Sequence, residues 1–219
     1  ASLGRGNHTA ADANEIGQAV LRNLGIDPCD SIGAIHQIRL KTTQQLLQAG
    51  DAVPEYLREK HKGMIFKPVM DAWHTPEQTV AAAAAEAIRR GIRIMIGFTQ
   101  NEMDAFVPKR DRDLDKVIRQ EQIIRYDAPG YAFAQTVASG GCQVYKYQFD
   151  WSAPDSIYKA CLCLEWAFLF GNLDTWNAPM LAGAGRDEME RLSQTLQKLW
   201  GAFFRGEKLD KAIWPVYTA

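Results

Sequence analysis

The sequence predicts an α/β fold with a largely parallel sheet, and two observations support this prediction. Helix signals recur along the whole chain, whereas β-rich apolar runs are few and well separated. Parallel strands need long, usually helical crossover connections, so this alternation is typical of a parallel sheet. Two predicted strands are too few for a self-sufficient sheet. The remaining strands are therefore expected from an absent N-terminal part or from a partner chain.

The helix predictions follow from apolar spacing and from residues that begin or end helices. Ile16, Val20 and Leu24 recur at helical intervals, and Gly25 then ends the pattern. Pro76 suits a first helical turn, and the alanines that follow are the best helix formers. On these grounds helices are predicted over 11–24, 31–36, 42–48, 54–60, 76–90, 113–125, 131–139 and 187–204.

Two runs have the composition of strands. Residues 92–98 (IRIMIGF) are apolar and rich in β-branched side chains. Residues 143–149 (QVYKYQF) alternate and are aromatic, and they follow a Gly140-Gly141 turn. The sequence therefore places one strand in each run, with helices between them.

Composition limits the classes of protein to consider. The chain has 219 residues, of which 47% are hydrophobic, and this suits one globular body. The formal net charge is −1, whereas a nucleic-acid binder usually carries a basic surplus. No run reaches the length of about 18 apolar residues that a membrane span needs, and no signal peptide is visible at the start. We therefore expect no nucleic-acid partner, no membrane segment and a cytoplasmic location.

The four cysteines do not form a convincing metal motif. Cys161 and Cys163 make a C-x-C pair, but no further Cys or His lies close by to complete the four ligands that zinc prefers. Cysteines behave as small buried hydrophobes when they bind nothing. We therefore expect Cys161 and Cys163 to be buried small hydrophobes, and we expect no metal site and no organic cofactor.

The run 145–173 (YKYQFDWSAPDSIYKACLCLEWAFLFGNL) carries the most specific pattern. Its tail, from Glu165 through FLFGNL, resembles the type-B carboxylesterases, the family of the bacterial p-nitrobenzyl esterases and the cholinesterases. Three further runs match the family in its order: 68–76 (PVMDAWHTP), 96–106 (IGFTQNEMDAF) and 200–217, with its W-P-x-Y ending. In the first of these runs, alanine replaces the glycine of the family's Asp-Gly pair.

The resemblance implies a fold and a domain arrangement. It implies that residues 1–219 are the C-terminal portion of a single α/β-hydrolase domain, with the last strands of the sheet and their flanking helices. The N-terminal strands, the oxyanion loop and the G-x-S-x-G nucleophile elbow are absent from this chain. A second chain is expected to supply them.

The resemblance also assigns site residues. Glu102 falls on the acid of the catalytic triad, while Leu162 falls where the family has its histidine. Leucine cannot accept the proton of a serine or pass it to a leaving group. Met64 and Phe66 lie where related enzymes line the acyl pocket, and ordinary core packing is the alternative. His74 is the first candidate for a displaced base, and a surface histidine is the alternative.

Three functional hypotheses remain open at this point. The chain could be one part of a serine carboxylesterase that acts on a small carboxylic ester with an apolar acyl or alkyl group, inactive alone. It could instead be a non-catalytic binding or structural module on a hydrolase scaffold, since fold does not dictate function. Leu162 could also be an engineered replacement of histidine.

Overall fold

The computed structural model describes residues 6–61, 65–71, 75, 78–107, 111–176 and 178–218. These residues form two compact units, one from Val80 onward and one from Gly6 to Thr79. We refer to them as the sheet unit and the helical unit. Each is described by itself below.

The helical unit contains four helices: α1 (Ala10–Asn23), α2 (Ser31–Arg39), α3 (Thr43–Asp51) and α4 (Glu55–Lys60). Thr9 and Thr42 begin α1 and α3 with reciprocal capping boxes, which satisfy backbone N–H groups that a helix start leaves unbonded. A small core lies among these helices and comprises Ile16, Ala19, Val53, Leu57 and Ile65.

The sheet unit contains the two predicted strands, β1 (Ile94–Thr99) and β2 (Val144–Phe149). They pair in parallel, with Ile94 opposite Val144 and Thr99 opposite Phe149. Helix α5 (Thr79–Arg90) precedes β1, and α6 (Arg112–Gln122) and α7 (Ala128–Ser139) connect the strands. A π-helical turn, Ile123–Asp127, joins α6 to α7. Two more helices follow β2: α8 (Leu164–Leu169) and α9 (Arg186–Phe204). This confirms the prediction of a parallel pair joined through helices.

Both faces of the strand pair are covered. Successive side chains of a strand point to opposite faces: Val144 packs in the cluster with α5 and α7, whereas Tyr145 packs with the aromatic residues of α9. Parallel sheets are usually buried on both faces in this way. The outer edge of β2 is covered as well, because the Tyr217 N–H donates to the Val144 carbonyl at 2.8 Å and the Trp214 indole donates to the Lys146 carbonyl at 2.8 Å.

The cysteine prediction is partly wrong. Cys161 is buried as expected, but Cys163 is only half-buried. Of the other two cysteines, Cys142 is buried and Cys29 is exposed, and all four are free thiols. Cys29 lies in the connection between α1 and α2, where the chain runs over the surface and buries little. No helix of the described residues is long and apolar enough to cross a membrane.

Candidate active site

Glu102 lies in the loop that follows β1. We call residues 99–105 the acid loop; it turns from Thr99 into one 3₁₀ turn, Glu102–Ala105. The backbone N–H of Thr99 donates to Oε1 of Glu102 at 2.9 Å, and the residue is 3% exposed. Its other oxygen, Oε2, has no hydrogen-bond partner in the part of the chain that the structure describes. The loop therefore buries a carboxyl group with one oxygen satisfied.

A second loop brings Leu162 alongside. Asn101 and Cys161 form an isolated parallel bridge, in which the Asn101 N–H donates to the Ala160 carbonyl at 2.9 Å. Glu102 and Leu162 are the next residues on the two bridged segments. The structure thus places the predicted acid position and the predicted histidine position at neighbouring points of the same backbone ladder.

An ion pair also connects the two loops. Nζ of Lys159 lies 3.2 Å from Oδ2 of Asp104, a residue that is almost wholly buried. A buried carboxylate is tolerated when a cation pairs with it. Neither Asp104 nor Lys159 was singled out from the sequence, because the pair forms between residues far apart in the chain.

The backbone around Leu162 is strained. Lys159 and Cys163 have φ angles of 51° and 66°, and among the described residues they are the only non-glycine residues with positive φ. Residues held in this left-handed region cost of order 1–3 kcal/mol each and cluster at functional sites. Here the two strained residues bracket Leu162, and the second one begins α8.

Burial raises the pKa of the Glu102 carboxyl above its ordinary value, although the Thr99 N–H partly opposes this shift. Burial also raises the pKa of Glu165, in the first turn of α8, and the Glu102 charge adds to the effect. Oε2 of Glu165 is buried without a hydrogen-bond partner among the described residues. The surroundings therefore favour the neutral form of two carboxyl groups in this region, those of Glu102 and Glu165.

The neighbouring thiols are poor nucleophiles. Burial raises the pKa of Cys161 to about 11 and also raises the pKa of Cys163, and nearby carboxylates act in the same direction. A thiol reacts as its thiolate, which these surroundings suppress. The described part of the site therefore offers carboxyl groups but neither an imidazole nor an activated thiol.

Asp127 is a further acid that the sequence did not reveal. It ends the π-helical turn, its Oδ1 is buried without a hydrogen-bond partner among the described residues, and its charge contributes to the raised pKa of Glu102. The Gln122 amide, at the end of α6, donates to the Gln100 carbonyl of the acid loop at 2.8 Å. A π-turn often marks a functional site, but it has no recognisable sequence pattern.

One of the three predicted substrate-binding residues, Phe66, lies in the part of the chain that the structure describes. Phe66 belongs to the helical unit, where it is 64% exposed and borders a cavity of about 500 Å³. We call this cavity the groove; α1, α2 and the segment 65–69 line it, with Ile16, Val20 and Ile35 among its apolar side chains. Met64 and His74 lie outside the described residues. The structure therefore groups Glu102 with Leu162 within the sheet unit, and Phe66 borders an apolar cavity within the helical unit.

Comparison with known proteins gives consistent relatives. No protein-family model matches the chain. The chain is 30% identical over 234 residues to a "Probable N-octanoylanthranilate hydrolase" of Rhodococcus erythropolis, with 99% of this chain and 49% of that protein covered. It is 28% identical over 241 residues to the para-nitrobenzyl esterase of Bacillus subtilis, covering 95% of this chain and 48% of that protein. The chain thus spans about half the length of these relatives.

Solved structures agree with the sequence relatives. A thermophilic para-nitrobenzyl esterase superimposes with a TM-score of 0.74 at 26% identity, covering 97% of this chain and 49% of the other. A carboxylesterase of Geobacillus stearothermophilus superimposes with a TM-score of 0.71 at 22% identity, over 96% of this chain and 50% of the other.

Proposed function

Because this chain belongs to the type-B carboxylesterase family, corresponds to its C-terminal part and has part of the α/β-hydrolase fold, we propose that it is one part of a serine carboxylesterase-like hydrolase. The substrate would be a carboxylic ester, and the chain alone would not turn it over. The observation that carries this proposal is a buried Glu102 at the bridge that also presents Leu162.

The chemistry of the triad explains why position 162 matters. In a serine hydrolase the imidazole takes the proton of the serine and returns it to the leaving group, while the acid orients the ring and stabilises its charged form. In this proposal Glu102 would perform the second task, but the isobutyl side chain of Leu162 cannot perform the first. Removing a triad member leaves only the weak catalysis that binding and the oxyanion hole provide.

The missing parts define the partner. We propose that a second chain or segment supplies the serine, the oxyanion loop and the remaining strands, and that both units then belong to one hydrolase domain. The coverage of about half of each relative supports this proposal. A replacement base, if the completed protein has one, would come from His74 or from that partner.

The groove supports an apolar substrate group. Its volume of about 500 Å³ lies in the range of small-molecule sites, and Phe66 borders it with an exposed ring. Two relatives are named as an N-octanoylanthranilate hydrolase and a para-nitrobenzyl esterase. We propose that Met64 and Phe66 contact the apolar acyl or alkyl group of the ester.

A test of the acid assignment does not require the serine. In Leu162→His, the pKa of the introduced imidazole, measured by NMR titration, should exceed the ordinary value of about 6.5, because a nearby carboxylate favours the charged ring. Adding Glu102→Gln should lower that pKa. Leu47→His, on the exposed face of α3, provides a control that should titrate near the ordinary value. If Glu102→Gln left the pKa of the imidazole at position 162 unchanged, the assignment would be contradicted.

Turnover is the second measurement. The purified chain should hydrolyse p-nitrophenyl acetate and butyrate no faster than buffer, while native mass spectrometry of natively purified material should show a second chain. Hydrolysis well above buffer by the chain alone would overturn the proposal.

Leu162 also favours the alternative function, a binding module that holds an ester-like ligand without cleaving it. The completed protein distinguishes the two. If Leu162→His fails to produce turnover in the two-chain complex while the ligand still binds, the binding module becomes the better description.

A further inference from the structure

Two buried histidines of the helical unit lie in contact. The rings of His8 and His61 meet edge to face, with centroids 4.5 Å apart, and the residues are 3% and 7% exposed. Neither residue has a role in the function proposed above. Histidine is the side chain whose charge ordinarily changes between pH 5 and 8, so a buried contact between two of them is sensitive to acid.

His8, near the beginning of the described chain, is hydrogen-bonded to the segment 65–71. Its Nε2 lies 3.0 Å from the Ile65 carbonyl, which can only accept, so this nitrogen carries the proton. The His8 N–H donates to the Pro68 carbonyl at 2.8 Å, and the Met70 N–H donates to the His8 carbonyl at 2.7 Å. One residue thus makes three hydrogen bonds to the segment that borders the groove.

His61 supports His8 from the end of α4. Its Nε2 is buried and has no hydrogen-bond partner among the described residues. Among the described residues, Asp12 of α1 is the acid that lies in reach, with Oδ1 3.9 Å from that nitrogen, but the same oxygen lies 2.9 Å from Nζ of Lys60. Lys60 also pairs with Glu15 at 2.9 Å.

The charges that face His61 oppose its protonation. Burial lowers the pKa of His61 below 6.5, and His8, Lys60 and Lys67 act in the same direction, while Asp12 partly offsets them. The neutral ring is therefore the form that the folded unit favours. The contribution of the neutral His61 ring to the stability of the helical unit is fully present above the ordinary pKa of 6.5. This contribution is lost as the pH falls from 6.5 towards the lowered pKa.

We propose that His8 and His61 form an acid-sensitive latch, which holds the segment 65–71 in place at neutral pH and releases it on acidification. A proton on His61 places a buried charge against the His8 ring. Separating the two rings and exposing them to water removes the cost of burying that charge. Because Phe66, Lys67 and Val69 line the groove, release of this segment dismantles one wall of the groove. Ligand binding there would then be lost in acid.

Hydrogen exchange on the full chain tests the latch. Between pH 7.5 and 5.5, after correction for intrinsic exchange, the amides of His8 and Met70 should lose up to about tenfold in protection, the largest loss that one histidine with an ordinary pKa in the open state can cause. The amide of Ile94, which bonds to the Gln143 carbonyl in the sheet unit, should keep its protection. Unchanged protection of the two latch amides at pH 5.5 would overturn the proposal.

Variants separate the latch from general acid sensitivity. His61→Phe keeps an aromatic ring but cannot titrate, so the latch amides should stay protected at pH 5.5. His36→Gln removes an exposed histidine of the same unit and should leave the loss of protection unchanged. If His61→Phe does not fold, NMR titration of the unmodified chain decides the question, because a His61 pKa at or above 6.5 contradicts the latch.

Discussion

The acid loop of the sheet unit and the groove of the helical unit leave opposite kinds of group unsatisfied. In the acid loop the unsatisfied groups are polar, since Oε2 of Glu102 is buried without a hydrogen-bond partner in the described chain. In the groove they are apolar, since Phe66 and Ile35 are largely exposed. A buried polar atom without a partner costs about 1–3 kcal/mol, whereas an exposed apolar side chain is common on protein surfaces.

This difference shows what each region responds to. The stability of the acid loop should depend on pH and on hydrogen-bond donors, because its unsatisfied atoms belong to carboxyl groups. The apolar wall of the groove should respond to apolar ligands or to a covering chain, because burial of apolar area is the only gain available there.

The largest expected effect is the difference in the free energy of unfolding between a Phe→Ala substitution in the core and the same substitution at the groove. Phe168 of α8 is 0% exposed and packs against Phe149 and Trp151. Phe168→Ala should lower the free energy of unfolding by about 3–5 kcal/mol, through lost burial and a new cavity. Phe66→Ala should change it by no more than about 0.5 kcal/mol. Urea denaturation measures both, and equal losses would break the contrast.

A smaller effect should come from the acid loop. The pKa of Glu102 is raised in the folded state, so the contribution of this carboxyl group to stability is most favourable at low pH and becomes less favourable as the pH rises from 4.5 towards the raised pKa. Glu102→Gln should remove this fall and stabilise the chain at pH 8 by about 1–3 kcal/mol, with no gain at pH 4. Thermal unfolding at both values provides the measurement.

Glu59 of α4 is exposed and provides the control for that experiment. Glu59→Gln should leave the difference in stability between pH 4 and pH 8 as it is in the unmodified chain. The same gain in both variants would mean that net charge, rather than the buried carboxyl, causes the effect.

The smallest effect should arise at the strained turn before α8. Cys163→Gly relieves the left-handed conformation at φ 66°, and we expect a gain of up to about 1 kcal/mol, reduced by the greater freedom of glycine in the unfolded chain. Cys29→Gly, at a residue without positive φ, should give no gain. Chemical denaturation of the two variants compares them directly, and a loss at position 163 would show that the thiol's packing outweighs the strain.

Long periodic segments were predictable from the sequence. The helix predicted over 187–204 is observed as Arg186–Phe204, and both strands occur in their predicted runs. β1 begins two residues later than predicted, because the Ile92 N–H returns to the Ala87 carbonyl and closes the end of α5. Local hydrogen bonds of this kind set boundaries that periodicity cannot detect.

The features that depend on tertiary contacts were not predictable. The helix predicted over 113–125 ends at Gln122 as an α-helix and continues through the π-turn into α7. The burial of His8 and His61 has no periodic signal, since each is a single residue at the edge of an element. Glu102 and Leu162 were identified only through the family resemblance.

The last described residues give the sheet unit its protection against self-association. Tyr217 and Trp214 occupy carbonyls of Val144 and Lys146 that another strand would otherwise use, and Nζ of Lys146 lies 4.1 Å from the centre of the Tyr217 ring. Strands with free edges recruit other chains into aggregates. The tail therefore covers this edge, and shortening the chain before Trp214 should leave these carbonyls of β2 open to pairing with another chain.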